Sequence, residues 1–209
     1  MSRPVIHVVD DDASFLRSVA RLLRASGYQV AAFSSVEEFL EHRDPEVAGC
    51  VVTDLQMPRR SGLDLQDALG RSGRSLPVIF LTAKGDIPTT VRAMRGGAED
   101  FLTKRAPKAQ LLGAIDRALQ RQQREAVERD RSSASRSKLE KLTARELQVL
   151  SGVLRGLLNK QIADELGLAD RTVKHHRGAL TRKLGVQSAA ELAMLVHDAG
   201  VDPSTLSVT

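Results

Sequence analysis

The chain has 209 residues, more than the commonest size of a single domain, so two compact units joined by a linker are the first expectation. Its 42% hydrophobic and 27% charged residues exclude a chain that is disordered throughout, and its one cysteine, Cys50, excludes an intramolecular disulfide framework. No apolar run approaches the roughly 18 residues of a membrane span and the acidic start is unlike a signal peptide, so we expect a cytoplasmic protein with no membrane partner.

Strand-like apolar runs alternate with amphipathic helical stretches five times through the first 120 residues. The five runs are VIHVV, QVAAF, CVVTD, VIFLT and EDFLT. Alternation of this kind predicts an α/β domain, in which a five-stranded parallel sheet is covered by helices on both faces. We expect this domain to occupy residues 1–121.

Large apolar side chains almost disappear over residues 122–139, where the sequence is charged and then rich in Ser and Arg. This composition predicts a helical extension that frays into a flexible linker. Helical periodicity resumes after Leu142 without any strand-like run. We therefore expect an all-α domain of four helices over residues 140–209.

Cap signals place the helices of this second domain. Thr143, with Glu146 three residues later, has the pattern of a capping box at the start of the first helix. Asn159 is predicted to cap a short second helix, Asp170 begins the third, and a fourth follows Ser188.

Polar side chains follow four of the five predicted strands in the first domain. They are Asp10, Asp11 and Asp12 after the first strand, Asp54 after the third, Thr82 after the fourth and Lys104 after the fifth. The carboxyl ends of parallel strands share one edge of the sheet, where ligands bind in such folds, so these residues are expected to converge. Clustered carboxylates repel one another unless a cation lies among them, and oxygen ligands favour Mg²⁺.

A site of this composition can make Asp54 a nucleophile toward a phosphoryl group, with Mg²⁺ and the Lys104 ammonium neutralising charge on the phosphoryl oxygens. Thr82 can then donate its hydroxyl to the new phosphoryl oxygen and couple its loop to the reaction. Each residue also has a simpler explanation when taken alone: a helix cap, a turn residue or a surface charge. Their joint placement at consecutive strand ends favours the functional interpretation.

The segments VVDD, TDLQMPRRSG, FLTAKGD and GGAEDFLTK resemble the receiver domain of response regulators over essentially all of residues 1–120. The resemblance implies the CheY-like, or flavodoxin-like, doubly wound fold and transfer of a phosphoryl group from a histidine kinase to Asp54. It implies that Asp10 and Asp11 are the acidic pair around Mg²⁺, with Asp11, the Asp54 side chain and the Gln56 carbonyl as ligands. It also implies Thr82 as the switch hydroxyl and Phe101 as the aromatic ring that follows it, although a core ring is an equal alternative for Phe101.

One position departs from the receiver pattern. The family lysine is usually followed by a proline through a cis peptide bond, whereas Lys104 is followed by Arg105 and proline appears only at Pro107. A cis bond without proline costs about 3 kcal/mol, so we expect a trans peptide here. The position of Lys104 is the feature that this departure puts in question.

The net charge of +5 permits a polyanionic partner, and the basic residues are concentrated on one predicted helix. Between Asp170 and Glu191 there is no acidic residue, but there are five basic ones: Arg171, Lys174, Arg177, Arg182 and Lys183. A helix that is apolar on its opposite face can pack inward while this basic face enters the major groove of DNA. A merely solvated basic face is the simpler alternative.

The stretches LTARE, GLLNKQIA, RTVKHHR and RKLGV resemble the LuxR/NarL-type helix-turn-helix over about residues 140–200. Together with a receiver they resemble the FixJ-like branch of response regulators, which includes regulators of the styrene-response kind. The resemblance implies phosphate contacts by Lys174, His176 and Lys183 and base contacts by Arg171, His175 and Arg177. Thr172 and Arg182 complete the predicted DNA-binding set.

His175 stands where valine is common in this family. It could alter the base preference or make binding pH-sensitive, because histidine titrates near neutral pH. A neutral histidine beside a phosphate is the simpler alternative.

The sequence thus predicts a transcription factor in which phosphorylation of Asp54 favours dimerisation or release of the DNA-binding domain. Its expected partners are a sensor histidine kinase, double-stranded DNA and a second copy of itself, with RNA polymerase as a further candidate. It would take part in its own phosphorylation without being a dedicated enzyme.

Two other classes of function are compatible with parts of the sequence. One is a phosphorylation-independent DNA-binding protein whose receiver only dimerises. The other is a metal-dependent phosphohydrolase resembling the haloacid dehalogenases, which would need a second aspartate two residues after Asp54, where Gln56 stands.

Overall fold

The computed structural model describes residues 3–71, 76–83 and 85–202. The chain divides into two compact units, Met1–Glu125 and Ala126–Thr209. Lys84 of the FLTAKGD motif and residues 203–209 of the predicted DNA-binding domain lie outside the described residues.

The first unit contains the predicted five-stranded parallel sheet. Its strands are β1 (Val5–Val9), β2 (Gln29–Phe33), β3 (Gly49–Thr53), β4 (Val78–Thr82) and β5 (Asp100–Thr103). Their order in the sheet is β2-β1-β3-β4-β5, and every neighbouring pair is parallel. This order places the carboxyl ends of β1, β3, β4 and β5 side by side, as the sequence predicted.

Five helices connect or follow these strands. They are α1 (Ala13–Ala25), α2 (Val36–His42), α3 (Gly62–Arg71), α4 (Ile87–Arg95) and α5 (Lys108–Leu139). Ser61 precedes α3 and caps it, because its hydroxyl accepts a hydrogen bond from the Asp64 amide at 3.3 Å.

The sheet has an apolar core on each face. On one face Val9 and Val51 pack with side chains of α2, α3 and α4, including Phe39 and Leu65. On the other, Val8 and Val52 pack with side chains of α1 and α5. Burial on both faces explains the almost uninterrupted apolar runs of the central strands.

The second unit is helical, as predicted. After the end of α5 it contains α6 (Ala144–Leu154), α7 (Asn159–Leu166), α8 (Asp170–Leu184) and α9 (Ala189–Asp198). These helices enclose an apolar core that includes Leu150, Ile162, Leu180 and Leu192. The capping box of Thr143 and Glu146 is confirmed at the start of α6.

One cap prediction is wrong. The N-cap of α7 is Leu158, and Asn159 is the first helical residue. The Leu158 amide donates a hydrogen bond to Oε1 of Gln161 at 2.8 Å, so the glutamine side chain satisfies the amide of the cap residue itself.

The segment predicted as a fraying linker is helical throughout, because α5 continues without a break to Leu139. The division into a domain over residues 1–121, a linker and a domain over residues 140–209 stays a prediction. In the described part of the chain, no helix is both long enough and apolar enough to cross a membrane.

Candidate functional site

Backbone hydrogen bonds extend the sheet by one residue and fix the predicted acidic site at its carboxyl edge. The Asp10 amide donates to the Phe33 carbonyl at 3.1 Å, and the Asp54 amide donates to the Val9 carbonyl at 3.0 Å. The Lys104 amide donates to the carbonyl of Thr82 at 2.8 Å. Four of the six residues predicted to converge, Asp10, Asp54, Thr82 and Lys104, therefore lie at the ends of neighbouring strands along one edge of the sheet.

The Lys104 ammonium joins two of the carboxylates. Its Nζ lies 2.6 Å from Oδ2 of Asp10 and 2.8 Å from Oδ2 of Asp54. Only 14% of the Lys104 side chain and 3% of the Asp10 side chain are exposed, so the three charges interact in a largely dehydrated setting. The lysine reaches the site although no proline follows it.

Among the described residues no peptide bond is cis, so the Lys104–Arg105 bond is trans, as expected. The amide of Ala106 donates to the Thr103 carbonyl at 2.9 Å, which closes a turn around Lys104. The departure from the family pattern therefore leaves the ammonium in contact with Asp54.

Burial raises the pKa of Asp10, and the hydrogen bond from Lys104 opposes that shift. For Lys104, burial lowers the pKa, but the hydrogen bonds to Asp10 and Asp54 together outweigh it, and the pKa is raised. The ammonium therefore stays charged at neutral pH and supplies a fixed cation beside Asp54.

Three carboxyl groups could hold a metal ion. One ligand oxygen from each of Asp10, Asp11 and Asp54 lies within 4.8 Å of the other two. Asp10 and Asp54 are buried and Asp11 is exposed, so such an ion would be reached from solvent. An all-oxygen donor set with one ammonium against three carboxyl groups fits a hard divalent cation such as Mg²⁺.

Asp12 has a different role from its two neighbours. Its Oδ1 accepts hydrogen bonds from the amides of Ser14 and Phe15 at 2.9 and 3.1 Å, so it is the N-cap of α1. These hydrogen bonds lower the pKa of Asp12. The helix-cap explanation therefore holds for this member of the acidic run.

The Asp54 carboxylate is also held by the backbone that follows it. Its Oδ1 accepts a hydrogen bond from the Leu55 amide at 2.6 Å and a long one from the Gln56 amide at 3.4 Å. Gln56 thus lies beside the carboxylate, and its predicted role as a carbonyl ligand stays a prediction.

Thr82 and Phe101 lie on adjacent strands. Thr82 is buried at the end of β4 and pairs in register with Thr103, whereas Phe101 is half-buried. The Phe101 ring lies 5.8 Å from that of Phe80, centroid to centroid. A Cβ placed on Gly85 would lie 2.7 Å from Phe101 Cε1, so the ring packs closely on the loop after β4. This position suits both explanations offered for Phe101.

A contact at this site was not predicted from the sequence. The Lys104 Nζ lies 4.3 Å from the centroid of the Phe15 ring, within the range of a cation–π interaction. The only signal for it is an aromatic residue in the first helical turn after the acidic run.

The basic helix predicted in the second unit is α8. Its apolar residues Val173, Leu180 and Leu184 are buried in the core. Of the predicted DNA-binding set, the residues Arg171, Lys174, His175, Arg182 and Lys183 are exposed, and Thr172, His176 and Arg177 are half-buried. The helix therefore packs inward on one face and presents basic side chains to solvent on another.

Two members of this set also make contacts inside their own domain. Nη1 of Arg177 donates to Oδ1 of Asn159 at 2.7 Å, which joins α8 to the start of α7. Nζ of Lys183 lies 2.7 Å from Oε2 of Glu146 at the start of α6. In this conformation both side chains hold α8 in place within the domain.

Comparison with known families agrees with this architecture. A family model described as "Response regulator receiver domain" matches residues 6–116, and one described as "Bacterial regulatory proteins, luxR family" matches residues 140–196. The chain therefore belongs to the response regulators, with a receiver domain followed by a LuxR-type DNA-binding domain.

Relatives of similar length share both parts. Nodulation protein W of Bradyrhizobium diazoefficiens is 43% identical over 201 residues, covering 96% of this chain and 88% of that protein. Response regulator protein TodT of Pseudomonas putida is 42% identical over 193 residues, covering 92% and 85%. The solved structure of the response regulator StyR superposes with a TM-score of 0.84 at 45% identity, covering 94% of this chain and 99% of that one.

Proposed function

We propose that Asp54 accepts a phosphoryl group from a sensor histidine kinase and that this event controls DNA binding by α8. The observation that carries the proposal is the contact of one ammonium, that of Lys104, with both Asp10 and Asp54 at 2.6 and 2.8 Å. Positioning and charge neutralisation supply most of the catalysis of phosphoryl transfer. The site provides both, because the carboxylate of Asp54 is oriented and a cation is fixed beside it.

Asp54 acts as the nucleophile. Because backbone amides hold Oδ1 and Lys104 contacts Oδ2, the carboxylate is oriented before a donor arrives. The phosphoryl group passes from an imidazole nitrogen of the kinase to an oxygen of Asp54, and the imidazole keeps the electron pair of the broken bond. The Lys104 ammonium then contacts the phosphoryl oxygens and neutralises charge on them.

Asp10, Asp11, the Asp54 side chain and the Gln56 carbonyl are the groups that would hold Mg²⁺. When bound, the ion supplies positive charge to the carboxylate and the incoming phosphoryl oxygens. The burial of Asp10 raises its pKa because it destabilises the carboxylate form. A nearby positive charge stabilises that form, which supports a cation at this position.

Phosphorylation adds about 1.5 to 2 negative charges at the end of β3. Thr82 lies at the end of the neighbouring strand β4, where its hydroxyl would donate to a phosphoryl oxygen, and Phe101 packs on the loop that would move with it. We propose that this shifts an existing equilibrium toward a form that dimerises or frees the DNA-binding domain. Two half-sites bound together multiply affinity for DNA.

The proposed DNA-binding residues are those of the basic face of α8, of which five are exposed and three are half-buried. Arg171, His175 and Arg177 would contact bases and Lys174, His176 and Lys183 would contact phosphates, with Thr172 and Arg182 completing the set. The protein would act in the cytoplasm, without a dedicated enzymatic activity, and would regulate transcription through DNA and, as a further candidate partner, RNA polymerase.

The test is phosphorylation by a small donor. Wild-type protein and the Asp54→Asn variant are incubated with acetyl phosphate and Mg²⁺, and their intact masses are measured. We expect the mass of one phosphoryl group on the wild type and none on the variant, together with tighter binding of the phosphorylated protein to DNA. Equal labelling of both proteins, or DNA binding that phosphorylation leaves unchanged, would refute the proposal.

A further inference from the structure

The contacts of Lys104 explain how this lysine is held without a proline after it. Arg105 follows Lys104 through a trans bond, so the backbone after the lysine lacks the rigid ring of a proline. The side chain is instead held by three groups: the carboxylates of Asp10 and Asp54 and the ring face of Phe15.

The Phe15 ring is itself firmly placed. Phe15 is the third residue of α1, and its amide donates a hydrogen bond to the cap residue Asp12 at 3.1 Å. Its half-buried ring packs against the apolar core between the sheet and helices α1 and α5. The cap after the acidic pair therefore sets the position of the ring, and the ring face lies 4.3 Å from the Lys104 Nζ.

The three contacts of the Lys104 ammonium differ in whether the proposed reaction would disrupt them. A divalent cation held by Asp10, Asp11 and Asp54 would compete with Lys104 for two carboxyl groups, those of Asp10 and Asp54. An incoming phosphoryl group changes the Asp54 contact as well. The contact with the Phe15 ring would not be lost to the metal ion or to the phosphoryl group. An aromatic face attracts the ammonium but offers no ligand atom to the metal ion.

We propose that Phe15 is a positioning residue for phosphoryl transfer: its ring holds the Lys104 ammonium beside Asp54 when the carboxylates turn to the metal and the phosphoryl group. The inference rests on the proposed function of Asp54. It assigns to Phe15 a role beyond filling the core, and the two roles differ in which substitutions they tolerate.

The experiment compares Phe15→Leu with Phe15→Tyr in the full-length chain. Leucine keeps an apolar side chain but removes the aromatic face, whereas tyrosine keeps that face. Phe39→Leu makes the same change in the core on the opposite face of the sheet, where Phe39 is fully buried, and so controls for lost packing. The initial rate of phosphorylation by acetyl phosphate with Mg²⁺ is measured for each, per folded molecule.

We expect Phe15→Leu to be phosphorylated about five-fold more slowly than the wild type, a factor in the range of one partly exposed cation–π contact. Phe15→Tyr should restore the rate, and Phe39→Leu should lose stability while keeping the rate. A wild-type rate in Phe15→Leu, or an equally slow rate in Phe15→Tyr, would overturn the inference.

A second readout does not depend on phosphorylation. Protons that lie over an aromatic face resonate upfield, so the ε-methylene protons of Lys104 in the unphosphorylated wild type should be shifted upfield and return to the usual lysine position in Phe15→Leu. Unshifted protons in the wild type would also overturn the inference.

The two proposals fail in different ways. If the wild type takes up no phosphoryl group, the proposed function fails and this role of Phe15 fails with it. If the wild type is labelled at Asp54 and Phe15→Leu is labelled equally fast, only the role of Phe15 fails.

Discussion

Nζ of Lys183 lies 2.7 Å from Oε2 of Glu146, and this ion pair joins the last turn of α8 to the first turn of α6. Glu146 is 4% exposed, and the same oxygen accepts a hydrogen bond from the amide of Thr143 at 2.8 Å. Burial raises the pKa of Glu146, but the hydrogen bonds from Lys183 and Thr143 outweigh it, and the pKa is lowered. Lys183 is therefore part of the domain's own framework as well as of its basic face.

Because of this ion pair, we expect substitution of two lysines of α8, Lys174 and Lys183, to have different effects on protein stability. Lys174→Ala should weaken binding to all DNA sequences alike and reduce the salt slope of binding by about one unit, since it would remove one proposed phosphate contact. Lys183→Ala should also lower the free energy of unfolding by about 1 to 2 kcal/mol, because it leaves the buried Glu146 carboxylate without its cation. Urea unfolding and DNA titrations at several salt concentrations measure both quantities.

The matched comparison is Lys174, which is exposed on the same helix. Unequal loss of affinity among DNA sequences in Lys174→Ala would contradict its assignment to a phosphate. Equal stability of the two variants would show that the Lys183–Glu146 contact contributes nothing to folding.

The receiver contains a buried histidine that predicts its response to acid. His7 is 4% exposed in β1, and its ring stacks with that of Phe33 and meets that of Phe39 edge-on, with centroid distances of 6.0 and 5.4 Å. Neither ring nitrogen has a hydrogen-bond partner among the described residues. Burial, followed by the charge of Arg43, lowers the pKa of His7 from 6.5 to about 4.

The sign of the effect follows from linkage. Between pH 6.5 and about 4 the unfolded chain binds a proton at His7 that the folded chain does not bind, so stability falls as the pH falls through this window. The contribution of His7 amounts to about 3 kcal/mol between the two ends. Above pH 6.5 it does not vary.

His7→Leu should therefore be less sensitive to acid than the wild type. The free energy of unfolding of the two proteins is measured at pH 7.5 and pH 4.5, and the difference between them should grow in favour of the variant at the lower pH. His42→Leu, which changes an exposed histidine, is the control. Parallel stability curves for His7→Leu and wild type would contradict the assignment of the window to His7.

The acidic site could be predicted because a topological rule fixes it. Once the sequence indicates parallel strands, the residues after β1, β3, β4 and β5 must share one edge, and Asp10, Asp54, Thr82 and Lys104 do so. The rule depends only on strand order and on which residue follows each strand. The pattern of apolar runs shows which residues lie at each strand end, and right-handed crossovers limit the strand order.

The contacts that refine the site could not be predicted in the same way. Phe15 contacts Lys104 in the first unit, and Lys183 contacts Glu146 in the second. Each contact joins two elements whose separation is set by the packing of the core. No spacing in the sequence encodes such a meeting. The N-cap of α7 was misassigned because a polar residue near the start of a helix, here Asn159, is the usual sequence signal for a cap. The cap residue is Leu158, whose amide donates to the Gln161 side chain.

The position of Lys104 should also weaken the binding of Mg²⁺ to the unphosphorylated site. Its ammonium contacts two of the three carboxyl groups that would bind Mg²⁺, so it opposes the ion by both charge and position. Lys104→Met should bind Mg²⁺ on the order of ten-fold more tightly while accepting a phosphoryl group more slowly. Calorimetric titration with Mg²⁺ measures the first effect.

Lys108→Met is the matched control, because Lys108 is an exposed lysine at the start of α5 and its loss changes the net charge equally. Its affinity for Mg²⁺ should stay close to that of the wild type. If both variants gained affinity alike, the effect would come from net charge, and direct competition by Lys104 would be excluded.

The backbone behind Asp54 leaves no room for a side chain at Gly62. The Gly62 amide donates to the Leu55 carbonyl at 3.0 Å, and a Cβ on Gly62 would lie 2.3 Å from the carbonyl oxygen of Asp54. Backbone cannot move aside as a flexible side chain can. Gly62→Ala should therefore cost about 2 to 3 kcal/mol of stability and slow phosphorylation by displacing Asp54.

Gly70 provides the control within the same helix. A Cβ there meets no atom within 4 Å, and its φ lies outside the left-handed region, so Gly70→Ala should stabilise the protein by up to about 1 kcal/mol through helix propensity. Thermal unfolding and the rate of labelling by acetyl phosphate are measured for both variants. Because alanine has the higher helix propensity at either position, a loss in Gly62→Ala alone would come from the close approach of α3 to the Asp54 backbone at 2.3 Å and to the Phe80 and Thr53 side chains at 3.0 and 3.2 Å. Equal stability and equal labelling of the two variants would mean that this approach does not constrain the phosphorylation site.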